Sequence, residues 1–257
     1  MKVFIGFDGR EPEAYEVLKY SINRQTKEKV EIQPLKHRKL REKGLFTRPW
    51  ITTPKGYWQD IIDGKLFSTE FSHTRFLVPK LMNYKGWGLF IDCDMLFTSD
   101  ILKLFAKADP AYAVQVVKHN YRPKTQTKMD GMPQEGYYRK NWSSCILFNC
   151  GHAKNKALTP EKISTAPGSW LHQFGWLADS DIGHLGYEYN WIEESSPANI
   201  KPALIHYTLG GPWMRDDDGR PIKDVAFADL WEAEFQRFQR DAAYLVPSIL
   251  PQNEGSI

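Results

Sequence analysis

The sequence predicts an α/β fold in which a central β-sheet is flanked by helices. Residues 2–7 form a short apolar run that ends in a turn, and residues 11–23 then place apolar side chains at helical spacing. Residues 87–91 form a second apolar run that leads directly into two aspartates. A strand followed by a helix at the N-terminus is typical of nucleotide-binding α/β domains, which favours this fold class.

The other elements follow from the same periodicities. Apolar runs predict strands at 30–35, 111–117 and 145–148, and helical spacing predicts helices at 71–82 and 225–240. The last helix is amphipathic, and its predicted buried stripe contains Phe227, Leu230, Trp231, Phe235 and Phe238. Residues 36–68 are predicted to be irregular, and residues 119–142 to form a long mobile loop. No repeat or linker is visible, so residues 1–257 are predicted to form a single domain.

The composition excludes several classes of protein. Hydrophobic residues make up 42% of the 257 residues and charged residues 25%, which is typical of globular proteins and not of disordered or fibrous ones. The net charge is +3 with both signs interspersed, so no nucleic-acid partner is predicted. Aromatic residues reach 14%, with nine Trp. Such rings are consistent with an amphipathic core and rim or with carbohydrate binding.

Cysteine usage and hydropathy bear on the cellular compartment. Cys93, Cys145 and Cys150 contain no CxxC pair, which argues against a disulfide framework and against a thiolate zinc site. The N-terminus lacks the apolar core of a signal peptide, and no stretch reaches the roughly 18 apolar residues of a membrane span. The sequence therefore predicts a cytoplasmic protein without a transmembrane segment.

The most informative segment is residues 89–97, an apolar strand interrupted by Asp92 and Asp94. Ligands of open α/β sheets bind beyond the carboxyl ends of the strands, and residues two apart on an extended chain point to the same side. Two convergent carboxylates suit Mg²⁺ or Mn²⁺, which prefer oxygen ligands. In the alternative interpretation one aspartate caps a helix and the other bonds to a loop.

Phosphatases of the haloacid dehalogenase type also carry Asp-x-Asp after a buried strand. Their motif usually lies on the first strand and continues into a Gly-containing turn. Here the motif lies a third of the way along the chain and continues Met-Leu-Phe. A phosphatase therefore stays a minor alternative.

Four ordered blocks of the sequence resemble the retaining glycosyltransferases of the glycogenin and bacterial lipooligosaccharide galactosyltransferase type, glycosyltransferase family 8. The blocks are residues 3–22, 72–79, 91–94 and 203–213. The resemblance implies a GT-A-like (Rossmann-like) fold, a central mixed β-sheet flanked by helices. It places the metal motif at the carboxyl end of a central strand.

The resemblance also implies roles for particular residues. It implies that Asp92, Asp94 and His206 hold Mn²⁺ or Mg²⁺ against the donor diphosphate, and that Arg75 contacts phosphate or sugar oxygens. The other residues that it places in the donor site are Phe7, Asp8, Cys93, Gly210 and Trp213. Taken alone, a histidine on an apolar strand such as His206 is more often a hydrogen-bonded core residue than a ligand.

The chain also departs from the family pattern. Gly211 stands where the family has a Lys near the leaving diphosphate, a charge that Arg215 would have to replace, and Ser180 stands where the family has a Gln near the anomeric carbon. The flanking Asp179 and Asp181 are the candidate catalytic carboxylates on the sugar side, together with Arg75. Their alternative interpretation is a solvated turn.

These observations predict a metal-dependent hexosyltransferase that moves a sugar from a UDP-sugar to a glycan, lipid-linked or other acceptor with retention of configuration. The resemblance places this reaction in polysaccharide biosynthesis. Residues 119–142 and 47–58 are the predicted lid and acceptor surface. The main alternative is a nucleotide-sugar or carbohydrate-binding protein without catalysis, suggested by Gly211 and Ser180.

Overall fold

The structure is a computed structural model, and it describes residues 1–120, 136, 138–193, 195–216, 218–220 and 224–245. Its strands, in chain order, are β1 (Lys2–Gly6), β2 (Glu31–Leu35), β3 (Trp50–Thr52), β4 (Trp58–Asp60), β5 (Trp87–Ile91), β6 (Met95–Phe97), β7 (Val114–Val116), β8 (Cys145–Asn149), β9 (Ile182–His184), β10 (Trp191–Ile192) and β11 (Leu204–His206). Its α-helices are α1 (Pro12–Gln25), α2 (His37–Glu42), α3 (Val78–Leu81), α4 (Leu102–Phe105), α5 (Pro160–Thr165), α6 (Gly168–His172) and α7 (Ala228–Leu245).

Six strands form the central sheet, in the order β2-β1-β5-β8-β7-β9. All neighbours pair in parallel except β8, which is antiparallel to both β5 and β7. The strand side chains and the helices packed against them form the main apolar core. The predicted mixed sheet flanked by helices is confirmed. Because Asp92 directly follows β5, an interior strand, the Asp-x-Asp segment lies at the carboxyl end of a central strand, as predicted.

A second sheet, in the order β10-β11-β6, continues from the carboxyl edge of the first. Its strand β6 begins immediately after Asp94, and β11 pairs with it antiparallel so that His206 lies opposite Met95. Two residues that are far apart in sequence, Asp94 and His206, are thereby brought to adjacent positions. This pairing depends on the apolar residues 95–97 and 204–205, all of which are buried.

The prediction that residues 36–68 are irregular is wrong in part. Residues 37–42 form α2, and β3 and β4 pair as an antiparallel hairpin. The hairpin strands have three residues each, too few to give a visible alternation. Inside the hairpin the rings of Trp50 and Trp58 stack with their centroids 4.6 Å apart.

The C-terminal helix α7 packs on α1, and Trp231 is fully buried between them and the second sheet. The prediction that Leu230 is buried is wrong, since it is 40% exposed. Glu234 is buried in its place because Arg24 of α1 forms an ion pair with its carboxylate, at 2.6 Å.

Two other predicted elements differ in part. The predicted helix 71–82 is shorter, a 3-10 turn at Thr74–Leu77 followed by α3. Most of the predicted loop 119–142 lies outside the described residues. Among the described residues, no helix combines the length and the hydropathy needed to cross a bilayer.

Candidate metal and donor site

Asp92 lies at the end of β5 and is held from two sides. Its backbone N–H donates to the carbonyl of Ser144 at 2.9 Å, and the Arg75 guanidinium Nη1 lies 2.8 Å from its Oδ1. The residue is 8% exposed. A carboxylate at this depth needs a charged or hydrogen-bonding neighbour, and Arg75 supplies one.

Asp94 and His206 meet where β6 begins. The N–H of Tyr207 donates to the carbonyl of Asp94 at 2.9 Å, which fixes the two segments side by side. As a result, His206 Nε2 lies 3.5 Å from Asp94 Oδ2. One ligand atom each from Asp92, Asp94 and His206 lie within 4.8 Å of one another.

Asn190 fixes the orientation of the His206 ring. The Asn190 Nδ2 donates to the carbonyl of Asn141 at 3.3 Å and to Ser144 Oγ at 2.9 Å, so its Oδ1 faces His206 Nδ1, at 3.0 Å. A carbonyl oxygen only accepts hydrogen bonds, so the ring nitrogen that faces it must carry the proton. With the proton on Nδ1, Nε2 is the ring atom left to bind a metal, and it faces Asp94, the orientation that metal-binding histidines adopt.

This set of donors fits a divalent cation. Two carboxylates and one imidazole lone pair lie close together at low solvent exposure, and their mutual repulsion is relieved when a cation lies between them. Oxygen and imidazole ligands of this kind are found around Mn²⁺, and the carboxylates alone also suit Mg²⁺. The chemistry that such an ion supplies is Lewis-acid stabilisation of phosphate oxygens.

Arg75, predicted to contact the donor, lies beneath the carboxylates and is 4% exposed. Its Nη1 donates to the carbonyl of Ser143 at 2.8 Å as well as contacting Asp92, and its Nε donates to the carbonyl of Ser72 at 3.1 Å. The planar group also lies over the ring of Phe90, at 4.9 Å. These contacts make Arg75 a support for Asp92.

Phe7 and Asp8 follow β1, the neighbour of β5, and so lie at the same edge of the sheet as Asp92. The Asp8 carboxylate is 1% exposed and accepts from Arg10 Nε at 3.0 Å and from the N–H of Glu70 at 3.1 Å. The ammonium group of Lys36 lies 4.4 Å from the centre of the Phe7 ring. Their predicted contacts with a nucleotide stay a prediction.

The remaining predicted donor-site residues are placed as follows. Cys93 is fully buried, and burial raises the pKa of its thiol well above the usual value. Gly210 is buried and adopts a φ of 121°, which favours glycine. A Cβ at Gly211 would overlap the ring of Trp213, so a Lys at that position would displace this tryptophan. Arg215 pairs with Glu232 of α7.

Asp179 and Asp181 do not lie with the metal-site residues. Asp181 precedes β9, and its carbonyl accepts from the N–H of Ala113, just before β7. Because β9, β7 and β5 are parallel, this is the amino edge of the sheet, opposite to Asp92. Asp181 contacts Lys154 at 2.6 Å, which lowers the pKa of its carboxyl, and Asp179, 77% exposed, pairs with Arg139. Their predicted catalytic role stays a prediction that this placement does not support.

Several residues around the site were not predicted from the sequence. Asn190, Ser143 and Ser144 come from two separate segments and carry no motif, so only the fold brings them to the metal-site residues. His119 lies nearby, and burial together with the adjacent His206 lowers its pKa to about 3. It is therefore neutral at physiological pH.

A second group of possible metal ligands, Asp60, Asp63 and His73, already surrounds a cation. The guanidinium of Arg48 is fully buried, and its Nη2 lies 2.5 Å from Asp60 Oδ2 and 2.8 Å from Asp63 Oδ2. His73 Nε2 lies 3.9 Å from the same oxygen of Asp60, and burial lowers the pKa of His73 well below its usual value. This group is a buried ion-pair network.

Comparison with known proteins identifies a relative. No protein-family profile matches the chain. Protein CDI of Arabidopsis thaliana is 43% identical over 246 residues, which cover 93% of this chain and 88% of that protein. The chain belongs to the Protein CDI family. The name of this relative states no activity.

Solved structures show which fold this family member has. LgtC matches it with a TM-score of 0.54 at 12% identity, over 98% of both chains. GlyE of Streptococcus pneumoniae matches with a TM-score of 0.54 over 93% of this chain, and WbbM, a bifunctional glycosyltransferase, with 0.52 over 91%. The chain spans about half the length of WbbM. The fold is therefore that of GT-A-type glycosyltransferases, whereas membership of family 8 stays a prediction.

Proposed function

We propose that this protein is a metal-dependent glycosyltransferase that transfers a sugar from a UDP-sugar to a glycan, lipid-linked or other acceptor. The observation that carries the proposal is the convergence of Asp92, Asp94 and His206 at the carboxyl edge of a GT-A-type sheet. In open α/β sheets this edge is where ligands bind. The similarity of LgtC, whose structure is known with donor and acceptor sugar analogues, supports the same assignment.

The proposed roles follow from the contacts. Asp92, Asp94 and His206 would hold Mn²⁺ or Mg²⁺, which supplies Lewis-acid stabilisation to the leaving diphosphate oxygen. Arg75 and the carbonyl of Ser144 hold Asp92 in place, and Asn190 keeps the His206 Nε2 lone pair available. These contacts fix the positions of Asp92 and His206, and groups held in place in this way need little reorganisation during a reaction.

No acidic side chain of the described residues is assigned to the anomeric carbon. Since Asp179 and Asp181 lie elsewhere, a donor-binding protein without transfer is the second candidate function. Retention of configuration belongs to the proposal through the family resemblance.

The test is a thermal-shift and turnover panel with UDP-, GDP-, CMP- and dTDP-sugars, each with Mn²⁺ and with EDTA. We expect one nucleotide, UDP, to raise the melting temperature only when Mn²⁺ is present, because a ligand of the native state stabilises it by mass action. Slow metal-dependent release of UDP then identifies a transferase, whereas a shift without release identifies a binding protein. No shift with any nucleotide-sugar would contradict the proposal.

Replacement of Asn190 by Ala tests the orientation of His206. We expect the affinity for Mn²⁺, measured by calorimetry with UDP present, to fall about 10- to 100-fold, because the ring loses the acceptor that fixes its tautomer. The matched control is Asn155→Ala, since Asn155 is also fully buried and donates to the carbonyls of Ala113 and Asn149, both at 2.8 Å. Equal losses of Mn²⁺ affinity in both variants would show a merely structural effect.

A further inference from the structure

The β3–β4 hairpin has one buried face and one exposed face. Side chains alternate between the faces of a strand, and Trp50 and Trp58 turn inward, where both rings contact the ring of His37. Their neighbours Ile51 and Tyr57 therefore point outward. Ile51 is 51% exposed and Tyr57 is 37% exposed.

Exposed apolar side chains cluster on the outward face of the hairpin, around Gln59, which pairs with Ile51. The N–H of Ile61 donates to the carbonyl of Pro49, which places Ile61 on the same side of the hairpin as Ile51. Ile61 is 56% exposed, and the adjacent Ile62 is 37% exposed. We call Ile51, Tyr57, Ile61 and Ile62 the hairpin patch. The other large exposed apolar side chains among the described residues, Met1, Tyr138 and Leu230, are scattered. Exposed apolar side chains that are grouped and bordered by polar residues are found at protein or membrane interaction sites.

The segment that carries the hairpin patch is also strongly basic. Residues 36–65 contain eight Lys or Arg and three Asp or Glu, whereas the rest of the chain contains 26 and 28. Two of the three acids, Asp60 and Asp63, contact the buried Arg48. Lys55, in the hairpin turn, and Lys65, just after β4, are exposed and lie close in sequence to the patch residues.

We propose that the hairpin patch docks this protein on the surface of an anionic lipid bilayer. Apolar side chains enter the boundary between headgroups and acyl chains, and the surrounding Lys and Arg bind anionic headgroups. The net positive charge of residues 36–65 matches this surface. The same positive charge would repel the corresponding segment of a second copy of the chain, which disfavours a dimer formed through this segment.

Docking at this place would also orient the donor site. Asp60 of the hairpin lies next to His73, the residue just before the 3-10 turn at Thr74–Leu77. Arg75 of that turn contacts Asp92 of the proposed metal site. The bilayer would then lie next to the carboxyl edge of the sheet. An acceptor held in the membrane would be presented to that edge.

The test is vesicle sedimentation of the full chain, without nucleotide or metal. One set of vesicles is phosphatidylcholine alone, and the other is equimolar phosphatidylcholine and phosphatidylglycerol. We expect binding to the anionic vesicles only, and binding should weaken as salt is added. Because neither nucleotide nor metal is present, the result is independent of the proposed transferase activity.

Two variants locate the surface. The double variant Ile51→Ser/Ile61→Ser should abolish binding, whereas Leu230→Ser, which changes an exposed apolar residue of α7, should not change it. Lys55→Glu should lower the partition coefficient roughly tenfold or more, because it replaces an attraction to the headgroups by a repulsion. Lys107→Glu, an exposed lysine near the amino edge of the sheet, is the matched control. Melting temperatures confirm that each variant is folded.

Three outcomes would overturn the proposal. The first is no binding to anionic vesicles at low salt, and the second is equal binding by the Ile51→Ser/Ile61→Ser variant. The third is a dimer, or a complex with a single-stranded oligonucleotide, that forms in preference to vesicle binding and is lost in that variant. The last result would assign the patch to a protein or nucleic-acid partner.

Discussion

Replacement of Asp94 by Asn is expected to abolish metal-dependent donor binding and to lower kcat/KM of the proposed transfer by at least about 10³-fold, the equivalent of several kcal/mol of lost charge stabilisation. The substitution keeps the shape of the side chain but removes the charge that faces His206. Asp94 is partly exposed and lies outside the packed strands, so the fold should persist. Calorimetric titration of Mn²⁺ with UDP present, and UDP release, measure the two effects.

Asp179→Asn is the matched control for this variant. Asp179 carries the same type of side chain, was predicted as catalytic from the sequence, and is 77% exposed beside Arg139. Donor binding should be unchanged in this variant. If Asp179→Asn removed turnover while Asp94→Asn kept Mn²⁺ affinity, the assignment of the site would be reversed.

Arg48→Ala is expected to lower the free energy of unfolding by about 3–5 kcal/mol, the range found when one partner of a buried ion pair is removed. The Arg48 guanidinium is fully buried, contacts Asp60 and Asp63, and donates to the carbonyl of Ala166 at 2.5 Å. Its loss leaves these oxygens without their cation, and the segment before β3 loses its hydrogen bond to Ala166, the residue after α5. Urea denaturation measures the change.

The control for Arg48→Ala is Lys39→Ala, which removes an exposed ion pair. Lys39 Nζ lies 2.9 Å from Glu42, and the two side chains are 68% and 60% exposed. Solvent screening should limit the loss to less than about 1 kcal/mol. Equal losses in the two variants would show that burial does not determine the stability provided by the Arg48 network.

The central strands were predictable from sequence because their signal is local. β1, β5 and β8 are uninterrupted apolar runs, as expected for strands that are buried on both faces. The hairpin strands β3 and β4 were missed because each has only three residues, too few to show a period-2 pattern. The exposure of Leu230 was missed for a different reason, since helical spacing does not reveal that Glu234 is neutralised by Arg24.

The metal-site residues were predictable in part. The spacing of Asp92 and Asp94 after an apolar run indicated that both carboxylates bind one cation. The family resemblance added His206, which the β6–β11 pairing places beside Asp94. The resemblance assigned Asp179 and Asp181 to the sugar side, and the structure places Asp181 at the amino edge of the sheet, so their catalytic role stays a prediction. A short motif does not specify the edge of the sheet at which a turn occurs.

The supporting residues could not be predicted from sequence. Asn190 is hydrogen-bonded to His206, which lies 16 residues further along the sequence. Ser144 accepts a hydrogen bond from the N–H of Asp92 through its backbone carbonyl, which any residue could supply. The buried charge of Arg48 is likewise invisible in the sequence, since Lys and Arg are usually exposed. Such contacts depend on tertiary structure alone. The predicted cytoplasmic location and the single-domain organisation stay predictions.

The most direct test of the metal site is pulsed electron paramagnetic resonance of the protein loaded with Mn²⁺ and UDP. Electron spin-echo envelope modulation detects a nitrogen bound directly to Mn²⁺. We predict imidazole nitrogen modulation in the wild type and its loss in His206→Gln at saturating Mn²⁺, with Asp92 and Asp94 still binding the ion. Absence of nitrogen modulation in the wild type, or its persistence in His206→Gln, would contradict the assignment of His206, Asp92 and Asp94 as one metal site.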